Sequence, residues 1–440
     1  MAKRKRVGFT PKRKRKRVML AQCSEVLPDG LSLLPDDILI YNILSLLPTE
    51  EAARTSILAR RWRFLWLYVP SLDLDASRKV ARTHTIEKGK KIGGRVASKY
   101  VEWVDRVIGT YRGSAALSRF CVRFCLDDTF SHKIDSWLNF ALGKGVQVLE
   151  LDCCQGASLD KNRYTFPSMQ PHLFPNLRLL KSLSLKDVYI TTDSLDHLLL
   201  ECEFLERLHL QHVRSANKDL QLQVNVTGPM SRLKYIDISE YHSPVSSIMI
   251  SAPTPDLVSF KYSHGEGGKM LHVEHAPRLV DMLISGFHEG FDLLSHPLFR
   301  YISQLQSLRL DIRFWDTVYR QFGKWSIISE ESAHLHHQNL RVIEFVRFTG
   351  RKIDYGLAEY LIRVVVSLEK LTVDCPPSDV DYIFCAHSNF VSSGHVCVRL
   401  NATPLGSVHL PGDARRMHVR RSRHLLFYDP KVEGRQVTRV

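Results

Sequence analysis

From residue 117 onward one spacing recurs: an apolar residue, two residues of any kind, then two apolar residues separated by one other. It is LSRFCV at Leu117, VQVLEL at Val146, LKSLSL at Leu180, LERLHL at Leu205 and LKYIDI at Leu233. It continues as LVSFKY at Leu257, LVDMLI at Leu279, LQSLRL at Leu305, LRVIEF at Leu340 and LEKLTV at Leu368. Successive starts lie 22 to 35 residues apart. The second half of each unit alternates apolar, polar, apolar, as a strand with one buried face requires, and the first apolar residue enters from the preceding turn. One match is cheap in a leucine-rich chain. Ten at a near-regular period predict a solenoid in which each unit lays one short strand parallel beside the last.

This is the arithmetic of leucine-rich repeats. Between strands the sequence turns helical: in TTDSLDHLLLECEF, Thr192 is expected to cap a helix that packs Leu195, Leu198 and Leu199 inward. The repeats are degenerate. Val188 and Val213 stand where Asn or Cys often follows the strand, and a half-unit at Val245, VSSIMI, breaks the period. Ahead of the repeats, Tyr100, Val104, Val107, Ile108 and Tyr111 fall on one helical face. A second amphipathic helix carries Ile134, Trp137, Leu138 and Ala141 and stops at Gly143 or Gly145. Both are expected to cover the open end of the solenoid. Residues 76–98 read as a linker.

A chain of 440 residues with 44% hydrophobic content can bury a sizeable core. No run of eighteen apolar residues occurs and the N-terminus is charged, so neither a membrane span nor a secretory signal is expected. Nine cysteines, an odd number with no CxxC pair, are expected to be reduced. On the same logic the sequons at Asn225 and Asn401 are expected to stay unmodified. The net charge of +15 sits at the two ends: Met1–Arg17 holds ten Lys or Arg and no acid, and 412–440 is net +5. The body is close to neutral and carries no footprint for nucleic acid. The N-terminal runs Lys3, Arg4, Lys5, Arg6 and Lys12, Arg13, Lys14, Arg15, Lys16, Arg17 fit a nuclear-localisation signal, which predicts the nucleus, with the cytoplasm open as a second location. A tether to nucleic acid and a solvated tail are the alternatives.

Residues 34–66 read LPDDILIYNILSLLPTEEAARTSILARRWRFLW, and eight of the eleven residues from Asp37 to Leu47 are apolar. One side of a helix cannot hold that many. Pro35 and the acids Asp36 and Asp37 suit a helix start. Pro48 ends that helix near Leu47, Thr49 is expected to cap a second, and Ser56 a third running to Leu65 or Trp66. Leu39 and Leu46 are expected to pack inward. Three short helices in about thirty-five residues are too small to bury a core alone, so the remaining apolar residues call for another protein.

This stretch resembles the F-box of large plant families, in its Leu-Pro start, ILSLLP centre, RTS step and RRWRFLW end. WLNFALGKGVQVLELD resembles the segment that opens the repeats in those proteins, and NLRVIEFVRFTGRKIDYGLAEYLIRVVVSLEKLTVDC is similar to their FBD module. The resemblance spans most of 32–376. It implies an α/β protein: a short three-helix F-box followed by a leucine-rich-repeat solenoid with a parallel sheet on the concave face. The chain then divides into a basic tail (1–31), the F-box (32–75), the linker (76–98), the solenoid (99–400, FBD-like over 339–376) and a basic C-terminal tail (401–440). The resemblance implies the substrate-recognition subunit of an SCF-type cullin-RING ubiquitin ligase, bound to a Skp-family adaptor and through it to cullin and RING subunits. Carried over position by position, the adaptor contact comprises Leu34, Pro35, Ile38, Ile43, Leu44, Leu47, Pro48, Ile57, Leu58 and Trp62. Ala52 and Ala53 depart from the larger aliphatics common there.

No catalytic constellation is present: HExxH, GxSxG and a dinucleotide turn are all absent. His334, His336 and His337 lack partners at metal-ligand spacing, and SHGEGGKM (263–270) has Ser263 and Met270 where a phosphate loop needs Gly and Ser or Thr. No enzyme activity, metal, cofactor or membrane is expected. The polar residues between inward-facing ones, Ser184, His209, Asp237, Lys261 and Arg309, are expected to face outward and contact a protein target. The rival reading is a nuclear scaffold that contacts nucleic acid through its basic ends.

Overall fold

The computed structural model describes residues 30–76, 94–113, 116–153, 163–167, 176–217, 222–226, 232–239, 247–250, 254–263, 271–273, 275–285, 301–311, 337–346, 357–358, 361, 364–374, 395–399, 406–408, 417–419 and 425–427. The basic runs at the N-terminus, His334, His336, the SHGEGGKM loop beyond Ser263, Asn401 and most of the expected linker lie outside these residues.

One sheet organises the molecule. Its strands are β1 (Ser71–Asp75), β2 (Arg119–Arg123), β3 (Val148–Asp152), β4 (Ser182–Lys186), β6 (Arg207–Gln211) and β9 (Tyr235–Ser239). It continues through β11 (Ser259–Ser263), β13 (Asp281–Ser285), β14 (Ser307–Asp311), β15 (Val342–Val346) and β16 (Lys370–Asp374), all parallel, to an antiparallel β17 (His395–Arg399). From β2 to β16 each strand begins two residues after the start of one LxxLxL match, so the repeat spacing maps onto the sheet unit by unit. The expected parallel solenoid sheet is the observed one.

The register is in step throughout. Leu183 pairs with Leu208, Leu208 with Ile236, and Ile236 with Phe260, and these positions are buried. Burying such a side chain is worth roughly 1.5–3 kcal/mol, and each unit gains it only because its neighbour covers the row. Main-chain bonds join the turns where an asparagine ladder is missing. Lys181 N–H donates to Gln147 O, Glu206 N–H to Lys181 O, Lys234 N–H to Glu206 O and Val258 N–H to Lys234 O, all at 2.8–2.9 Å. Val188 and Val213 pack into the core instead.

The layer behind the sheet departs from expectation in three ways. Thr191, not Thr192, caps the Thr192–Glu201 helix, its side chain accepting from Ser194 N–H at 3.1 Å. Two short strands, β5 (Tyr189–Ile190) and β7 (Arg214–Ser215), pair beside that helix. Further on, three return segments carry strands. β8 (Gln223–Val226), β10 (Ser247–Ile250) and β12 (Leu271–Val273) form a second parallel sheet. Ser247–Ile250 of the irregular VSSIMI half-unit is therefore a strand of this second sheet. The C-terminal stretch expected as a tail contains three short antiparallel strands, Gly406–Val408, Met417–Val419 and Leu425–Phe427.

The largest change concerns the start. β1 lies in the stretch assigned to the F-box, yet it pairs with β2 over five residues and buries Leu72 and Leu74 in the solenoid core. VPSLDL, from Val69 to Leu74, is an eleventh copy of the spacing. It sits 48 residues before the next copy, outside the regular period, because the Gly94–Thr110 helix is inserted between them. Tyr100, Val104 and Val107 on that helix are buried, as are Ile134, Trp137, Leu138 and Ala141 on the Ser131–Gly143 helix. The helical unit and the solenoid thus share one continuous core.

Candidate docking surfaces

The helical unit begins with a rod over 36–46 that changes its hydrogen bonding along its length. Asp36–Ile38 is α-helical, Leu39–Ile43 is π-helical and Leu44–Leu46 is 3-10. This change overturns one expectation. At α spacing Leu39 and Leu46, seven apart, would share a face. The wider π turn rotates the residues beyond it. Leu39 and Leu44 are fully buried, and Leu46 is turned out at 80% exposure.

The second helix, Thr49–Arg54, has Pro48 at its N-cap position and no side-chain cap. Thr49 is buried inside its first turn, so it is not the cap that its residue type suggested. Arg54 pairs with Glu50 and Glu51, each at 2.8 Å. Ala52 is fully buried, which explains a small residue there by packing. The third helix is two 3-10 segments, Thr55–Ile57 and Arg61–Tyr68. Ser56 does not cap it: its Oγ donates to Arg63 O at 3.1 Å. Arg61 ties the third element to the first, its Nε donating to Asp36 Oδ1 at 2.7 Å and its Nη2 to Leu34 O.

Of the expected adaptor-contact residues, Pro35, Ile38, Pro48, Ile57 and Leu58 are exposed, and Leu34, Ile43 and Leu47 are half-buried. Leu44 and Trp62 are core residues, at 0% and 5% exposure, and support the face from behind. Leu31, Leu33, Tyr41 and Leu46 are exposed apolar residues that the sequence reading missed. For Leu46 the missing signal is the π turn, which apolar periodicity does not reveal. Nine of the fifteen exposed large apolar side chains among the described residues fall within 31–68, so the unpartnered apolar surface is concentrated on this unit.

The outward face of the sheet is the second candidate. Its middle row runs Asp73, Cys121, Glu150, Ser184, His209, Asp237, Lys261, Leu283, Arg309, Glu344 and Thr372 in register. The five residues expected to face outward lie on this row, all half-exposed. They differ in company. His209 Nδ1 is 3.4 Å from Asp237 Oδ2, and Arg309 Nε donates to Glu344 Oε2 at 2.7 Å. Toward β1 the face is an ion network. Arg123 reaches Asp75 at 3.0 Å and Glu150 at 3.1 Å, Arg119 meets Glu150 at 3.0 Å and Lys186 meets Asp152 at 3.2 Å. A network spread over four strands leaves no trace in a linear sequence.

Burial, then the nearby carboxylates of Glu150 and Asp73, pushes the Cys121 thiol far above its ordinary value, so it stays protonated and unreactive. Burial likewise pushes Cys202 up to about 12. Cys121, Cys125, Cys153 and Cys202 carry thiols rather than disulfides. Among the described residues no three His, Cys, Asp or Glu side chains could hold a metal. His337 is buried, its backbone N–H donating to Val364 O at 2.9 Å. Asn225 sits in β8 with its Nδ2 donating to Asp196 Oδ2 at 3.2 Å, so its amide is engaged within the protein.

Residues 31–74 match the F-box domain. The chain is also similar to curated proteins of Arabidopsis thaliana. An F-box/LRR-repeat protein is 29% identical over 258 residues, 55% of this chain and 47% of the relative. A second F-box/LRR-repeat protein is 29% identical over 286 residues, 60% and 56% of the two chains. An FBD-associated F-box protein is 29% identical over 269 residues, 59% and 54%. The chain spans about half the length of the curated relatives it matches.

Proposed function

We propose that the protein is the substrate-recognition subunit of an SCF-type cullin-RING ubiquitin ligase. The observation that carries this reading is the crowd of exposed apolar side chains on the F-box unit, Ile57 at 87% among them, on a unit whose own core is already filled by Leu39, Leu44, Ala52 and Trp62. A Skp-family adaptor is the partner that an F-box calls for, and cullin and RING subunits join through it. The face around Ser184, His209, Asp237, Lys261 and Arg309 is the proposed target surface. The chain supplies no reacting group. It raises the effective concentration of target lysines near a charged conjugating enzyme. The basic runs between Lys3 and Arg17 are the proposed nuclear address.

Co-purification with a Skp-family adaptor tests the proposal. Wild type is expected to retain the adaptor and an Ile57→Ser, Leu58→Ser variant to lose it. A wild type that retains none, or a variant that retains it equally well, overturns the reading.

A further inference from the structure

We infer that Arg63 and Arg112, which flank Phe64, and Arg60, one 3-10 turn before Arg63, form a basic extension of the docking surface that takes an acidic segment of the same adaptor. The inference rests on the proposed docking role of the F-box unit. It adds a second chemistry to that surface and a contribution from the solenoid's first turn.

Arg60 and Arg63 stand three residues apart at the start of the 3-10 segment Arg61–Tyr68, where residues at that spacing eclipse one another. Arg63 Cζ lies 5.5 Å from the Phe64 ring centroid and Arg112 Cζ 5.9 Å from it. Phe64 is 52% exposed, and the three arginines are exposed as well. Arg112 comes from beyond the Gly94–Thr110 helix, and its N–H donates to Leu67 O at 2.9 Å, which fixes it across the junction. None of the three has an ion pair among the described residues, whereas Arg54 and Arg61 nearby are both paired.

Three like charges held together without a counter-charge repel, and a stacked guanidinium keeps its N–H edge open for a carboxylate. The patch therefore complements acidic side chains. The apolar surface beside it selects a protein as their carrier. Ser56 Oγ donates to Arg63 O, so the exposed Ile57 and Leu58 border the arginines. A nucleic-acid backbone would meet the arginines and leave that apolar border uncovered.

The test measures association of the full chain with a Skp-family adaptor as a function of NaCl. Wild type is expected to associate fastest at low salt. The triple reversal Arg60→Glu, Arg63→Glu, Arg112→Glu is expected to associate about tenfold more slowly there, and to converge with wild type near about 1 M NaCl, where charges are screened. Arg112→Ala alone is expected to flatten the salt dependence in part. The triple Gln variant is expected to move in the same direction by less, which separates lost charge from any misfolding caused by added acids. Ile57→Ala should weaken binding at every salt with the slope unchanged. If wild type binds and the reversal leaves the slope intact, the inference fails and the proposed function stands. If wild type binds no adaptor at any salt, both fail. Salt-dependent retention of a short DNA duplex by wild type, abolished by the reversal, assigns the patch to phosphates and overturns the inference.

Discussion

The indole Nε1 of Trp137 donates to Asp105 Oδ1 at 2.8 Å, joining the helix that leads into the second strand to the helix that leads into the third. Lys133 Nζ donates to the other carboxylate oxygen at 2.7 Å. Burial pushes the Asp105 carboxyl up, but the hydrogen bonds from Lys133 and Trp137 outweigh it and hold the group below its ordinary value. A carboxyl depressed on folding adds stability that is fully present above the unfolded value of about 3.9 and is lost as pH falls through the lower folded value. Asp105→Asn is expected to cost about 1 kcal/mol at pH 7, because the site is partly solvated. The difference from wild type should shrink as pH drops below about 4. Thermal melts at pH 7 and pH 3 check both statements.

Leu44 and Ile57 separate fold from docking. Leu44→Ala empties a fully buried site and is expected to cost about 2–5 kcal/mol in urea unfolding. Ile57→Ser changes an exposed position and is expected to stay within about 0.5 kcal/mol of wild type. Adaptor capture should fall for Ile57→Ser despite its intact stability.

Asp187 and His212 follow two successive strands with φ of 57° and 52°, the left-handed region that L side chains rarely adopt. They are held there by a buried cluster. Arg163 Nη1 lies 3.5 Å from Asp187 Oδ1, and His212 Nδ1 lies 3.3 Å from the same oxygen. Arg163 Nη1 also donates to His212 O at 3.0 Å. Asp187→Ala loses the carboxylate and places a left-handed strain on alanine, and is expected to cost about 3 kcal/mol or more in chemical denaturation. Asp187→Asn, which tolerates the left-handed turn, should cost less.

β1 ties the F-box unit to the solenoid sheet. Leu74→Ala, at a fully buried site of that strand, is expected to lower the protection of amides in the 36–46 rod and in β2 together, as measured by hydrogen exchange. Protection lost in only one of them would mean that the two units unfold independently.

The repeat strands were legible because their signal is local. In LKSLSL the alternation of Leu183 and Leu185 with serines states which side is buried, whichever unit comes next. The F-box was legible as a motif, and the excess of apolar residues in DILIYNILSLL announced apolar surface that the unit does not bury itself. Which residues make that surface was only half legible. Leu46 and Trp62 exchanged their expected places, since a π turn in the rod and the packing of the third element set their orientation. β1 was overlooked although VPSLDL carries the spacing, because an inserted helix put it out of period.

The sequence by itself determined a stack of parallel strands, the side of each that enters the core, and a helical unit with more apolar surface than it can bury. These properties come from side-chain periods of a few residues, which the chain states wherever it adopts the element. The tertiary structure alone decided that the helical unit joins the sheet through β1. It also decided that Arg123 gathers carboxylates from two neighbouring strands and that Arg112 meets Phe64 across 48 residues of chain. Such pairings depend on how far the chain travels before it returns to the stack, and helices and return strands of unequal length set that distance.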